Sequence, residues 1–342
     1  MHRMRKLSTR SLRAAGGIAV VTVAALALAG CGGRQDQAAP TPAADAGASC
    51  EATTGQITIA TGNSTGVYYV LGGGVASVLT EKTALRATAA ETGASVQNIE
   101  QLVAGAYDIA FSLADTAADA VEGTGAFDAP QPVEALGVIH TNVTQVVVRA
   151  DSGIERVEDM AGHAISTGSP KSGTEVIATR LLESAGLDID TDISAQRLEL
   201  GKTVESLKDG SIQGMFWSGG LPTPALTDLF TSQGDAVRFI DVTPLLEEMQ
   251  EISGVYAEGA IPAATYGTAD DVPTIAVPNV LLVQEDFPEN SACAVAAAIW
   301  GNVDALATVH PAANQFDPVA AQKTAPIPLA PGAERALVEL AG

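Results

Sequence analysis

The sequence predicts an α/β protein of two lobes with a cleft between them, and three observations carry that reading. Residues 57–79 read as a strand, a small polar loop flanked by glycines, and an apolar helix. Strand-to-helix loops of the same kind lie around 61–66, 92–95, 112–115, 167–175 and 218–223. About 290 residues are left once the N-terminal segments are set aside, more than one core fills comfortably. In open α/β sheets ligands gather at the carboxyl ends of strands, beside helix N-termini. Two lobes joined by crossing strands face those ends at each other, and closure about a hinge is the expected motion.

The chain begins with an address. Arg3, Arg5, Lys6, Arg10 and Arg13 form a basic segment with no acid in it, and residues 14–30 are apolar but too short for a stable membrane span. Leu28-Ala29-Gly30-Cys31 resembles the bacterial lipobox, which implies cleavage of a 1–30 signal peptide and lipid on Cys31. Residues 31–54 hold hardly a large apolar side chain and read as a tether. No later run is apolar enough for a membrane helix.

All 40 acids lie after residue 30, against 13 remaining bases, a net charge near −27. That balance argues against a nucleic-acid groove. It leaves an anionic ligand open, because a buried site feels local dipoles more than the distant surface field. Cys50 and Cys293 remain after Cys31; outside the cytoplasm such a pair is bridged or free, and the sequence leaves that choice open. No His/Cys cluster has zinc spacing, and no cofactor motif occurs.

The loop Gly62-Asn63-Ser64-Thr65-Gly66, with Tyr68 and Tyr69 just after it, admits three readings. It is an anion site, since a helix start offers unpaired N–H groups and a positive dipole end. It is a G-x-S-x-G nucleophile elbow with Ser64 as nucleophile. Or it is a plain βα turn. Further along, Leu85–Ala90 is a strand that runs into Thr92 and Ser95, with Ser95 as the N-cap of a helix over 96–104 that carries Asn98. A strand over 107–112 ends at Ser112, and a helix near 114–121 follows, where Asp115 meets a ligand amine or caps the helix. Short strands are predicted at 133–139 and 145–149, the second a crossing point between lobes.

A second set of units starts at Arg156, with a short helix at 157–162 and a strand at 163–166. The next loop contains Ser169, Ser172, Gly173 and Thr174, and a helix follows over 176–185. Lys171 approaches a carboxylate or lies exposed at the loop tip. A helix at 203–208 leads to a strand at 214–218, where Trp217 covers ligand or joins the core, and then to Gly219 and Gly220. A helix at 223–230, strands at 237–241 and 274–283, and an Ala-rich helix over 291–309 complete the chain. The hydrolase reading is weak. The elbow sits on the first strand with no earlier strand to supply an oxyanion loop, and His140, His163 and His310 suit surface or capping roles. Residues 168–174 lack the Gly-Lys-Ser/Thr order of a P-loop.

Several ordered runs resemble one family. They are Ile57-Thr-Ile-Ala-Thr-Gly with Gly66-Val-Tyr-Tyr, Thr92-Gly-Ala-Ser-Val-Gln-Asn98, Gly168-Ser-Pro-Lys-Ser-Gly-Thr-Glu175, Gly220-Leu-Pro-Thr-Pro224, Ile261-Pro-Ala-Ala-Thr-Tyr266 and Ile327-Pro-Leu-Ala-Pro-Gly-Ala333. Together they resemble the TAXI solute-binding proteins of TRAP (tripartite, ATP-independent periplasmic) transporters over roughly residues 55–342. The resemblance implies a two-lobed, periplasmic-binding-protein-like fold with a ligand cleft between lobes, and no enzyme activity. It implies a receptor on the outer face of the bacterial cytoplasmic membrane that hands a small carboxylate or amino acid, of the glutamate, glutamine or 2-oxoacid type, to a TRAP permease. The expected division is lobe 1 at 55–145, lobe 2 at 146–265, and a return to lobe 1 with C-terminal helices at 266–342. Where the family often has Gly-Gly-Ser and a C-terminal His, this chain has Gly93-Ala94-Ser95 and Ala330.

Overall fold

The computed structural model describes residues 50–52 and 54–342. The signal peptide, Cys31 and nearly all of the tether lie outside the described residues.

In the first half of the chain, strands and helices alternate as the polar loops suggest. The elements are β1 (Gly55–Ala60), α1 (Val67–Lys82), β2 (Leu85–Ala90), α2 (Ser95–Val103), β3 (Ile109–Leu113), α3 (Ala114–Glu122) and β4 (Val133–Arg149). Then come β5 (Ala164–Ser166), α4 (Gly173–Ser184), β6 (Ser194–Gln196), α5 (Leu200–Asp209), β7 (Gly214–Gly219), α6 (Pro224–Gln233) and β8 (Val237–Phe239). The chain ends with α7 (Leu246–Ile252), β9 (Ala257–Ile261), α8 (Ala263–Tyr266), β10 (Val272–Gln284), α9 (Glu289–Trp300), α10 (Val303–Val309), α11 (Pro318–Ala321) and α12 (Pro331–Ala341).

One sheet runs β2-β1-β3-β10-β4-β7-β5-β6, with β8 on β4 and β9 on β10. Its two long middle strands make the protein bilobal. The C-terminal part of β10 pairs with β3 (Leu281 opposite Phe111) and with the start of β4 (Val283 opposite Glu134). The N-terminal part pairs with β9 and with the middle of β4 (Ala276 opposite Val143), whose last residues continue onto β7. The register slips between Pro278 and Val280, where the proline has no N–H to give the ladder. Apolar side chains pack separately on the two sides of this crossing. Ile59, Leu71, Leu79, Phe111 and Ile299 belong to one core; Ile165, Leu181, Phe216 and Met249 belong to another. Each Leu or Ile so buried contributes roughly 1.5–3 kcal/mol.

Three expectations are corrected. The strands expected at 133–139 and 145–149 are one strand, because Thr141, Asn142 and Val143 of the polar interval pair with Pro278, Val277 and Ala276. The helix expected over 291–309 is two, bent by 64° at Gly301-Asn302. Ser95 is not an N-cap: Ala94 holds that position at φ 83°, and the Ser95 hydroxyl accepts from the Leu113 amide at 3.1 Å.

Cys50 and Cys293 are paired as a disulfide, their Cα atoms 4.9 Å apart and 243 residues apart in sequence. A link that closes so long a loop removes much unfolded-state entropy. Replacing Cys50 with Ser is expected to cost about 2–5 kcal/mol. Urea unfolding of the oxidised protein beside the variant checks it; equal midpoints would refute it.

Candidate functional site

Residues from all five polar loops line one cavity between the lobes. Gly62, Asn63, Gly66, Val67 and Tyr68 come from the first, Gly93, Ala94 and Ser95 from the second, and Leu113 from the third. Ser172, Gly173 and Thr174 come from the fourth, Trp217, Ser218, Gly219 and Gly220 from β7 and the fifth, and Asn142 from β4. With the lobes in contact the cavity is nearly closed, with about 30 Å³ of free volume.

The electrostatics come from the backbone. None of the lining residues is Asp, Glu, Lys, Arg or His. The N-cap residues of α1, α2, α3 and α4 (Gly66, Ala94, Leu113 and Ser172) all line the cavity, so four helix starts meet there. Only Ser172 caps its helix with a side chain, accepting from the Glu175 amide at 3.0 Å. First-turn amides of such helices have no partner within the helix, and the aligned peptide dipoles make the spot favourable for an anion. Ala94 holds φ 83° and ψ −150°, a conformation rare for any residue but glycine, at the point where α2 begins.

Of the eighteen residues predicted for the site, ten line the cavity: Gly62, Asn63, Tyr68, Ser95, Ser172, Gly173, Thr174, Trp217, Gly219 and Gly220. Two of these also join the lobes. Asn63 Oδ1 accepts from Ser169 Oγ at 3.2 Å and from the Leu200 amide at 3.1 Å. The Trp217 indole donates to Thr223 Oγ1 at 3.2 Å, and its Cζ2 packs against Gly66 across the cleft. The Tyr68 hydroxyl donates to Asn279 Oδ1 on β10, and burial pushes its pKa well above the ordinary value.

The other eight are placed elsewhere, each with a reason. Ser64 and Thr65 are exposed and line a separate shallow hollow with Gly201 and Val204. The loop turns their side chains outward while its glycines face the cavity. Ser64 Oγ makes no hydrogen bond to a histidine among the described residues, which removes the geometry a nucleophile needs. Tyr69 is 37% exposed on the outer face of α1. Thr92 Oγ1 accepts from the Ala94 amide at 3.1 Å, and Asn98 Nδ2 donates to the carbonyls of Thr61 (2.7 Å) and Phe111 (2.8 Å), tying β1 to β3. Ser112 Oγ donates to the Leu113 carbonyl at 3.0 Å, and Ser169 is held by Asn63. Lys171 is exposed and pairs with Glu100 at 2.8 Å.

Asp115 does not line the cavity, and Leu113 rather than Asp115 holds the N-cap position of α3. It is fully buried on α3, where its Oδ2 accepts from Arg180 at 3.1 Å and from the Tyr256 hydroxyl at 2.5 Å. Its Oδ1 accepts from the Thr116 amide at 2.7 Å. Arg180, from α4 of the other lobe, also holds Asp119 at 2.6 and 2.8 Å. Burial raises the Asp115 pKa against the opposing pull of Arg180.

Asn142 and Val67 lie outside the loops expected at the site, whereas Gly66, Gly93, Ala94, Leu113 and Ser218 lie within those loops but were not singled out. The signal for Asn142 was the polar stretch His140-Thr141-Asn142 between the two apolar halves of β4. Behind it His140 is 1% exposed and stacks on Phe316, and burial with the neighbouring His310 drives its pKa down to about 3. Between about pH 6.5 and 3 the unfolded chain therefore binds a proton that the folded one refuses, so stability falls as pH falls through that window. Asp115, with its raised pKa, contributes in the opposite sense just above its ordinary value. Replacing His140 with Phe is expected to flatten the acid limb of a plot of unfolding free energy against pH; an unchanged slope would count against it.

Crossing strands, a bilobal sheet and a cavity ringed by helix starts define the fold of periplasmic solute-binding proteins. The chain belongs to the NMT1-like family, whose sequence model matches residues 59–340. Among solved structures it is similar to a binding protein component of an ABC phosphonate transporter from Pseudomonas aeruginosa. The identity there is 11% and the TM-score 0.52, over 77% of this chain and 80% of that one. It is also similar to a protein of Bordetella bronchiseptica RB50, with 19% identity and a TM-score of 0.50 over 83% and 88%.

Proposed function

We infer that this protein is a solute receptor of a membrane transporter, held outside the cytoplasmic membrane by lipid on Cys31, and that its ligand is a small carboxylate. One observation carries the reading: four helix N-termini converge on an interlobe cavity that no charged side chain lines. Such a site takes the anion on backbone dipoles, so a negative ligand suits a chain that is itself strongly acidic. The sequence resemblance narrows the solute to the glutamate, glutamine or 2-oxoacid type and the partner to a TRAP permease. Family membership and the fold support the receptor reading.

In this reading lobe 1 is built from 55–145 and the returning 266–342, and lobe 2 from 146–265. The carboxylate lies against the starts of α1, α2 and α4, and Tyr68 and Trp217 cover the apolar part of the ligand. Closure presents the liganded shape to the permease, with neither covalent chemistry nor ATP. The esterase alternative loses ground to the outward, base-free position of Ser64.

Calorimetric titration of the protein, stripped of co-purified solute by unfolding and refolding, tests the reading. Saturable 1:1 binding of one small carboxylate is expected. Turnover of an activated ester that vanishes in Ser64→Ala, with no acid bound, would overturn it. For the TRAP partner, uptake by cells is expected to follow an ion gradient and to survive ATP depletion.

A further inference from the structure

The cavity has donors to spare and acceptors already in use. The backbone amides of Val67, Tyr68, Ser95, Gly173 and Thr174, all on lining residues, have no partner among the described residues. The Ser172 and Thr174 hydroxyls accept the amides of Glu175 at 3.0 Å and Ser218 at 3.2 Å. Each keeps a hydrogen of its own to give. On the acceptor side, the carbonyls of Gly62, Asn63, Ala94, Ser218, Gly219 and Gly220 each take a donor from the protein. Asn63 Oδ1 takes two, and Asn142 Oδ1 is paired with the buried His140 ring. The Tyr68 hydroxyl takes a hydrogen from Ser95 and gives its own to Asn279. Of the lining side-chain oxygens, Ser218 Oγ alone lacks a partner, and it can donate as readily as accept.

This imbalance separates two kinds of carboxylic acid. A 2-oxo acid carries, beside its carboxylate, a carbonyl that only accepts, so unspent amides and hydroxyls suit both groups. An α-amino acid of the same skeleton carries an ammonium instead, three donors and a full charge. Second lone pairs on occupied carbonyls are left for it, with no carboxylate on the cavity wall to balance the charge. The acids adjoining the lining residues are engaged elsewhere. Asp115 is held by Arg180, Tyr256 and Thr116, and Glu175 by Arg197 and the Lys171 amide. An ammonium would therefore lose its hydration to face the positive ends of four helices.

We propose that the cavity selects a 2-oxo acid and discriminates against the α-amino acid of the same skeleton. The proposal rests on the carboxylate-receptor reading above and narrows its three ligand types to the third. Both polar groups of the ligand accept, and the donors come from the backbone and from neutral hydroxyls.

The test is calorimetric titration of the solute-stripped protein with matched sets of 2-oxo acid, L-amino acid and unsubstituted acid. The sets run from pyruvate, alanine and propionate to 2-oxoglutarate, glutamate and glutarate. The best 2-oxo acid is expected to bind at least about tenfold more tightly than its amino partner, with the unsubstituted acid between them. Ser172→Asp keeps a capping oxygen at the start of α4 and puts a carboxylate on the cavity wall. That charge repels every ligand carboxylate alike and attracts only the ammonium, so the oxo-to-amino ratio is expected to narrow at least about threefold. An unchanged ratio would overturn the proposal. Should the variant fail to fold, the unsubstituted acid decides: an amino acid that binds more tightly than it would overturn the proposal. A wild-type ratio below about tenfold, or in favour of the amino acid, would do the same while leaving the carboxylate receptor standing. No saturable binding by any of the acids would overturn both.

Discussion

Replacing Arg180 with Met is expected to destabilise the protein by about 3–5 kcal/mol, the usual result of removing one partner from a buried ion pair. Arg180 is the cation between Asp115 and Asp119, and all three side chains are nearly excluded from water. Without it two carboxylates face each other in a low-dielectric site, and only the Tyr256 hydroxyl and the amide and hydroxyl of Thr116 remain to hold Asp115. The Asp115 pKa, already raised by burial, rises further when the guanidinium is gone. A carboxyl with a raised folded pKa loses stability as pH climbs through it, so the variant's deficit should be larger at pH 8 than at pH 4.5. Urea unfolding at the two pH values reads this. A second variant that also carries Asp115→Asn should recover part of the loss, because the stranded charge is then absent. A deficit below about 1 kcal/mol, independent of pH, would mean that the cluster is solvated in solution.

The second large effect concerns closure. Gly173 opens α4, and a Cβ there would lie 2.5 Å from Leu113 Cδ1 and 2.6 Å from Ser95 Oγ, both on the facing lobe. Its backbone is ordinary helix, so Gly173→Ala introduces no strain of its own and improves local helix propensity by up to about 1 kcal/mol. The cost falls entirely on the approach of the lobes. Ligand affinity is therefore expected to drop at least about tenfold as the closed population shrinks, with some loss of urea resistance because the same lobe contact carries the Arg180 pair with Asp115 and Asp119. Small-angle scattering should show that ligand no longer compacts the variant. Unchanged affinity would mean that the ligand binds without the contact between α4 and Leu113.

The strand–loop–helix units were legible because each is local. Apolar alternation marks the strands, and small polar residues mark the turns where chain direction changes. Which loop atoms face the ligand was less legible. In the first loop the hydroxyls of Ser64 and Thr65 look like ligand groups, yet Gly62 and Gly66 line the cavity while those side chains point outward. The rotation of a five-residue loop is set by what packs around it, and nothing in its composition records that. The buried setting of Asp115 was illegible for a different reason: its partner Arg180 lies 65 residues away, and no local pattern links them. Asn142 was lost because the polar interval from His140 to Gln145 reads as a break between two strands. Backbone pairing to β10 carries the strand through it.

The same β10 bears on how the protein is made. It is hydrogen-bonded between β3 and β4 in one lobe and between β9 and β4 in the other, yet it spans residues 272–284, late in the chain. Neither half-sheet is complete until that segment has left the ribosome, so no lobe can finish folding ahead of the other during synthesis. Closing such distant pairings is slow. Until then each half exposes open strand edges and apolar faces, the condition in which an incomplete chain is most prone to associate wrongly.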